Sequence, residues 1–123
     1  MRHFWNQDGI AQLYVLHNTK HNIYKIGVTE KNIEDRLKFY NDLTIYIEDG
    51  TRLGIEWDRS DLDILYCKWL NNARQIERDI KKMIVGKTLK LRKTTFHEHF
   101  TEQSINDVLD YINKNEQILN LTK

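Results

Sequence analysis

The sequence predicts a small α+β domain in which a three-stranded antiparallel sheet is flanked by helices. Two apolar segments rich in β-branched and aromatic residues, 12–18 and 23–28, flank a polar turn, which indicates a β-hairpin. A third apolar run, 62–69, indicates a mostly buried strand. Segments with apolar residues at helical spacing come after the second strand, after the third strand and near the C-terminus, and each predicts a helix. The predicted order is therefore β-β-α-β-α plus a C-terminal helix, packed as helices against one sheet.

The first helix is predicted over residues 32–42. Asn32, with Asp35 three positions later, is typical of an N-cap followed by an acidic first turn. Three apolar residues then share one face at helical spacing: Ile33, Leu37 and Tyr40. The next segment, 43–61, is compatible with a hairpin turning at Asp49-Gly50 or with a long acidic loop.

Two later helices are predicted from their caps and their apolar stripes. The second begins at about Asn72 and has a plausible C-cap at Gly86. The last spans about 103–116, with Ser104 as its N-cap and Asp107 three positions on. The stripes are Ile76, Ile80, Met83 and Ile84 in the second helix, and Ile105, Val108, Leu109 and Ile112 in the last.

Length and composition predict one domain over residues 1–123 in the cytoplasm. A chain of 123 residues can build one core but not two. No apolar run approaches the roughly 18 residues that span a bilayer, and the N-terminus lacks the apolar middle of a signal peptide. The single cysteine, Cys67, allows no internal disulfide, which suits a reducing compartment. We therefore expect no membrane partner.

The distribution of charge is more informative than the net charge of +1. Residues 68–97 carry nine Lys or Arg against two Asp or Glu, whereas residues 42–67 carry two against seven. A basic stretch between acidic ones can attract a polyanion such as DNA or RNA, although a solvated helix face followed by a lysine-rich loop explains it equally well. The candidate phosphate contacts are Lys81, Lys82, Lys87, Lys90, Arg92 and Lys93.

Each strand of the predicted hairpin carries a short sequence motif. Tyr14 stands in the first strand after Gln12 and Leu13, and Lys25-Ile26-Gly27 ends the second. These segments resemble the two motifs of the GIY-YIG nuclease superfamily, in its phage-associated branch with Lys-Ile-Gly as the second motif. Tyr24 could instead represent the second motif's tyrosine, but strand alternation turns it to the face opposite Lys25, so we favour Lys25.

The resemblance continues through both helices and covers about residues 12–100. Arg36 matches the family's helix arginine, and its planar fork suits a phosphate. Tyr40 stands four residues later, where many members carry histidine. Glu77, on the second helix, matches the glutamate that is the family's sole protein metal ligand. Without the resemblance, each of these residues has an ordinary structural explanation as a core aromatic or a surface ion pair.

The resemblance implies hydrolysis of a phosphodiester, which needs an activated water and stabilisation of the developing charge. Tyr14 would activate the water with help from Lys25 or Tyr40. Arg36 and a Mg²⁺ or Mn²⁺ ion bound to Glu77 would stabilise the charge, since magnesium needs few protein ligands.

Two further groups of residues allow more than one interpretation. Residues 95–100 resemble a Gly-Glu-Trp-Phe stretch of the phage-associated branch. Within them, His97 and His99 predict a structural or substrate-contacting role more than a metal site, because further ligands are not nearby. Trp57 and Trp69 could stack on unpaired bases, although core packing is the stronger expectation for Trp69.

The sequence thus predicts a metal-dependent endonuclease from a phage or mobile element, acting on DNA more than RNA with low sequence selectivity. The alternative is a catalytically inactive domain on the same fold that binds nucleic acid or a host protein. A homodimer or a protein partner is compatible with either function.

Overall fold

The computed structural model describes residues 10–38, 40, 42–46, 52–84, 90–91 and 98–119. The elements, in chain order, are β1 (Ala11–Asn18), β2 (Ile23–Thr29), α1 (Ile33–Leu37), β3 (Leu43–Tyr46), β4 (Arg52–Ile55), β5 (Leu62–Leu70), α2 (Ala73–Met83), β6 (Lys90–Leu91), β7 (His99–Phe100) and α3 (Glu102–Asn115). The α+β class is confirmed, and so are the C-terminal helix and the strand predicted at residues 62–69.

The central sheet is antiparallel, with strand order β5-β1-β2-β7. It contains the three predicted strands and a fourth, β7, whose two residues are too few to leave a periodic pattern. A second sheet has the order β4-β3-β6. The pairing of β3 with β4 confirms the hairpin alternative for residues 43–61, although its predicted turn, Asp49-Gly50, lies outside the described residues.

Both faces of the central sheet are covered, and the alternation of β1 assigns each residue to a face. Leu13 and Val15 belong to one apolar cluster, which includes Ile80 of α2 and Ile112 of α3. The intervening Tyr14 belongs to a second cluster, on the face that carries α1. A shift of one residue in register would exchange the two faces, so the packing of both clusters specifies the register.

The first helix is shorter than predicted. Asn32 is the N-cap, and its side chain accepts a hydrogen bond of 2.8 Å from the backbone N–H of Glu34, as the sequence indicated. The helix ends at Leu37, however, so the predicted extension to residue 42 is wrong. Tyr40 therefore lies beyond the helix, where its backbone N–H donates to the carbonyl of Leu37 at 3.2 Å.

The start of α2 agrees with the prediction, whereas the N-cap of α3 does not. Asn72 stands directly before α2, and its side chain bonds to the backbone of Asn115 and Gln117 and not to α2. Gly86 lies outside the described residues. The prediction that Ser104 caps the last helix is wrong, since α3 begins at Glu102 and Ser104 is buried in its first turn. Within the described ranges, no helix is long and apolar enough to cross a membrane.

The packing of α2 against the central sheet predicts which of its residues contribute to stability. Ile80 is fully buried, whereas Met83, which the sequence placed in the same stripe, is 39% exposed. We expect Ile80→Ala to lower the free energy of unfolding by about 2–5 kcal/mol because it leaves a cavity. The control, Met83→Ala, should cost about 1 kcal/mol or less. Urea denaturation measures both, and equal losses would contradict the assignment of faces.

Candidate active site

The site begins with the close approach of Tyr14 to the backbone of Gly27. The register pairs these two residues, and it pairs Leu16 with Lys25 two positions along. A Cβ atom at Gly27 would lie 2.5 Å from the hydroxyl oxygen of Tyr14 and 2.6 Å from its Cζ. Only glycine leaves room for the phenol across β2, which is the physical requirement behind glycine at this position.

Four of the predicted residues converge on this face of the sheet. The hydroxyls of Tyr14 and Tyr40 share a hydrogen bond. The Nζ of Lys25 lies 5.4 Å from the centroid of the Tyr40 ring, and the Cζ of Arg36 lies 5.5 Å from it. Burial, followed by the charge of Tyr14, raises the pKa of Tyr40, while interaction with the Tyr14 hydroxyl raises the pKa of Arg36. Tyr40 therefore keeps its proton at neutral pH, and its hydroxyl can donate a hydrogen bond to the Tyr14 oxygen.

Arg36 is not neutralised by the carboxylates that neighbour it in sequence. Glu34 binds Arg59 through two hydrogen bonds of 2.8 and 2.9 Å, and Asp35 pairs with Lys38 at 3.4 Å. The structural alternative, in which Arg36 pairs with Glu34 or Asp35, is therefore not observed. Its Nε is buried and has no hydrogen-bond partner in the part of the chain that the structure describes. Among the described residues this buried donor is therefore left unsatisfied, while the guanidinium interacts with the Tyr14 hydroxyl.

A network of ion pairs connects Lys25 with Glu77. The Lys25 side chain is only 8% exposed, and its Nζ lies 2.6 Å from Oε1 of Glu98. Oε2 of Glu98 lies 3.3 Å from the Nζ of Lys81, which is also 3.3 Å from Oε2 of Glu77. Burial would raise the pKa of Glu98, but the two lysines outweigh it and hold the pKa below its ordinary value of 4.5. Glu98 therefore remains a carboxylate that balances the buried ammonium.

Tyr24 lies on the opposite face of β2 from Lys25. It belongs to the helix-facing cluster, where its ring stacks on His17 at 4.2 Å and on Phe100 at 5.7 Å between centroids. The alternative that Tyr24 takes the place of the second motif's tyrosine is therefore not supported by its position, and Lys25 remains the candidate.

The sequence did not predict Glu98 as a partner of Lys25. It singles out Glu98 only beside His97 and His99, as part of a weakly indicated metal site. Glu98 reaches the site because it lies beside β7, where its carbonyl accepts a hydrogen bond of 3.0 Å from the N–H of Ile26, next to Lys25. That pairing could not be inferred from the sequence because β7 itself left no pattern.

His99 is a buried residue that packs against an aromatic side chain. It is buried against Trp57, with 5.7 Å between ring centroids, and burial followed by the charge of Lys25 lowers its pKa to about 4. His97 lies outside the described residues. Over the described ranges, no group of three or more His, Cys, Asp and Glu side chains could hold a metal ion. The geometry therefore favours a structural role for His99.

The two tryptophans reverse the expected order of exposure. Trp57 is 7% exposed and packs edge-on against Tyr40, whereas Trp69 is 38% exposed. In the register of β1 with β5, Cys67 pairs with Tyr14 and Trp69 pairs with Gln12. Trp69 therefore projects from the same face as Tyr14, and the expectation that Trp69 is the core residue is wrong.

The predicted phosphate contacts are only partly described. Lys81 belongs to the ion-pair network, and Lys82 is exposed on α2. Lys90 lies in β6, but its side chain is not described. The remaining predicted contacts lie outside the described residues: Lys87, Arg92 and Lys93.

The donor set at Glu77 fits a hard divalent cation. Its carboxylate is partly shielded, with the side chain 14% exposed, and already binds a cationic group, the Nζ of Lys81. Mg²⁺ and Mn²⁺ prefer carboxylate oxygens, and magnesium retains most of its waters. A single carboxylate would hold such an ion only together with water or phosphate oxygens as the remaining ligands.

The fold and these side chains define a small α+β domain with tyrosine, arginine and lysine side chains gathered at one sheet face and connected through Glu98 and Lys81 to Glu77 on α2. The chain belongs to the T5orf172 domain family, which matches residues 11–116. This domain is phage-associated and is linked to nuclease-like modules. No curated protein and no solved structure gives a significant match.

The contact of Gly27 with Tyr14 predicts a strong preference for glycine. We expect Gly27→Ala to lower the free energy of unfolding by about 1–3 kcal/mol, because the added methyl group must displace the phenol. Gly54→Ala is the matched control, since its Cβ would meet no atom within 4 Å. In a Tyr14→Leu background the cost of Gly27→Ala should fall, as a double-mutant cycle by urea denaturation would reveal. Full additivity would contradict the contact.

The environment of His99 predicts a dependence of stability on pH. The unfolded chain binds a proton at His99 near the ordinary pKa of 6.5, whereas the folded protein does so at about 4. The contribution of His99 to stability is therefore fully present above pH 6.5 and is lost as the pH decreases from 6.5 to 4, by up to about 3 kcal/mol. Urea unfolding at several pH values should show this slope, and His99→Gln should reduce it. An unchanged slope in the variant would refute the assignment.

Proposed function

We propose that this chain is a GIY-YIG-type endonuclease that hydrolyses phosphodiester bonds in a metal-dependent reaction. The observation that supports it is the convergence of side chains far apart in sequence around the Tyr14 hydroxyl, joined to Glu77 by an ion-pair network. The residues proposed to act are Tyr14, Lys25, Arg36, Tyr40 and Glu77. The phage association of the family agrees with a role in nucleic-acid processing.

Each side chain has a chemical role in this proposal. Tyr14 would act as a phenolate that takes a proton from the water whose oxygen attacks phosphorus, and Tyr40 would stabilise that phenolate by donating a hydrogen bond. The proton would then pass from Tyr14 to the leaving oxygen. The bond from phosphorus to the leaving oxygen breaks as the new bond forms. Arg36 would contact the non-bridging oxygens, since the carboxylates of Glu34 and Asp35 pair with Arg59 and Lys38 instead of with Arg36. Lys25 adds positive charge beside the phenols.

Glu77 would hold a Mg²⁺ or Mn²⁺ ion. Such an ion, when bound, neutralises charge on the phosphate and on the leaving oxygen. Glu77 is suited to this task because α2 is fixed by its buried face, with Ile76 and Ile80 in the core on either side of it in sequence.

DNA is the proposed substrate in preference to RNA, in the cytoplasm of the cell that carries the phage or mobile element. Contacts from Lys81, Lys82 and the predicted basic residues that follow them would be to phosphates and would not read sequence. The exposed ring of Trp69 is the better placed tryptophan for stacking on an unpaired base. Low sequence selectivity follows, unless a homodimer or a protein partner supplies it.

A second candidate function is binding without cleavage. The observation that favours it is the pairing of Lys25 with Glu98, which compensates the charge of the residue that replaces the second motif's tyrosine. The presence of Tyr40 where many family members carry histidine favours it too. A phenol with a raised pKa stays protonated at neutral pH and therefore cannot act as a base there. The domain would then recognise nucleic acid or a host protein.

Cleavage assays distinguish the two functions. Supercoiled plasmid and single-stranded DNA are incubated with the protein and Mg²⁺, Mn²⁺ or EDTA. We expect nicking only with metal, and a loss of about 10²–10³-fold in rate for Arg36→Ala and for Glu77→Ala. The matched controls, Arg59→Ala and Asp110→Ala, remove exposed charges of the same sign away from the site. Intact DNA together with retained, salt-sensitive binding would support the binding function instead.

A further inference from the structure

We propose that Lys81 competes with a divalent cation for Glu77, and that Glu98 is the second carboxylate that retains Lys81 when the cation binds. This inference rests on the proposed function, because it concerns the regulation of the same metal-binding residue. Glu98 would be a positioning residue that acts through Lys81, with no contact to the substrate.

The position of Lys81 between two carboxylates is the first step. Its Nζ lies 3.3 Å from Glu77 and 3.3 Å from Glu98, so it can give up one partner and keep the other. Glu77 and Lys81 are one helical turn apart on α2, which keeps the ammonium within reach of that carboxylate. All three side chains are at most one-quarter exposed, so their attraction is screened less than that of a surface pair.

The second step is that Glu98 is held in place independently of Lys81. Its Oε1 binds the buried Lys25 at 2.6 Å, which leaves Oε2 for Lys81. Its backbone carbonyl is fixed by the N–H of Ile26. Because the two lysines keep it ionised, Glu98 remains an acceptor for Lys81 near neutral pH.

The third step is electrostatic. A divalent cation at Glu77 and the ammonium of Lys81 would bind the same carboxylate and repel each other, so Lys81 must move away for the cation to bind. Even at the dielectric constant of water, unit charges 3.3 Å apart interact by an energy equivalent to about tenfold in affinity. With Glu98 available, Lys81 keeps a partner after it leaves Glu77. Without Glu98, the cation would have to displace a lysine that has no other carboxylate among its described contacts.

Binding of Mn²⁺ to the full chain, measured by electron paramagnetic resonance of the free ion, tests the proposal without any cleavage assay. Lys81→Met should bind Mn²⁺ about tenfold more tightly than the wild type, because the competing charge is gone. Lys81→Arg keeps the charge and should remain within about threefold of the wild type. Lys82→Met, which removes the same charge from the exposed neighbour on α2, should change the affinity by about twofold or less.

Glu98→Gln should weaken Mn²⁺ binding several-fold in the wild-type background, and most of this effect should disappear when Lys81 is already Met. An equal effect in both backgrounds would overturn the proposal, because Glu98 would then act as a ligand or through Lys25. Unchanged affinity in Lys81→Met, with binding abolished in Glu77→Gln, would overturn it while leaving the metal site of the proposed function intact. Mn²⁺ binding that survives Glu77→Gln, or is absent from every variant, would overturn both. The Lys81 variants keep the inference testable if Glu98→Gln fails to fold, which circular dichroism would show.

Discussion

The register between β1 and β2 is the constraint on which both the fold and the candidate site depend. It opposes Tyr14 to Gly27, so that a fully buried phenol can cross the neighbouring strand where no side chain stands. The same register places Leu13 and Ile26 against the helices on the other face. Because strand side chains alternate, a slip of one residue would bury Lys25 among the apolar side chains of the helix face and expose that face's core residues. Packing on one face therefore enforces the chemistry on the other.

Burial of Lys25 is the second consequence of this arrangement. An ammonium with so little exposure is costly unless a counter-ion is close, and Glu98 meets that need from the end of a separate strand. The edge of the sheet at β7 is thus tied to the site by a charge as well as by backbone hydrogen bonds. A cationic site on an apolar sheet face becomes compatible with stability because its carboxylates lie within the same network.

Periodicity and turn chemistry predicted the elements that are long enough to repeat a pattern. The hairpin, β5, α2 and α3 were predicted to within a few residues, since each buries a face with a regular period. The two-residue strand β7 could not be predicted, because its existence depends on pairing with Tyr24 and Lys25 far away in sequence. The end of α1 was misjudged because Tyr40 lies at helical spacing from Leu37 but packs from irregular backbone.

The order of the motif residues along the chain predicted which of them would lie close together in the candidate site. Tyr14, Arg36 and Lys25 meet around the Tyr40 ring as their order suggested. Burial was harder to predict, because whether a tryptophan is covered depends on neighbouring strands and helices, and Trp57 and Trp69 consequently exchanged their expected environments.

The link between Glu77 and the phenols could not be predicted from α2 alone. A helical glutamate next to a lysine four residues on has an ordinary explanation as a surface pair worth a few tenths of a kcal/mol. What distinguishes Glu77 is that its partner Lys81 also forms an ion pair with Glu98. Glu98 in turn forms an ion pair with Lys25 on the sheet. The carboxylate on the helix and the phenols on the sheet face are thereby coupled through alternating charges, each held by its neighbours. Since removing one charge leaves its partner partly buried and unpaired, substitutions in this network should not act independently.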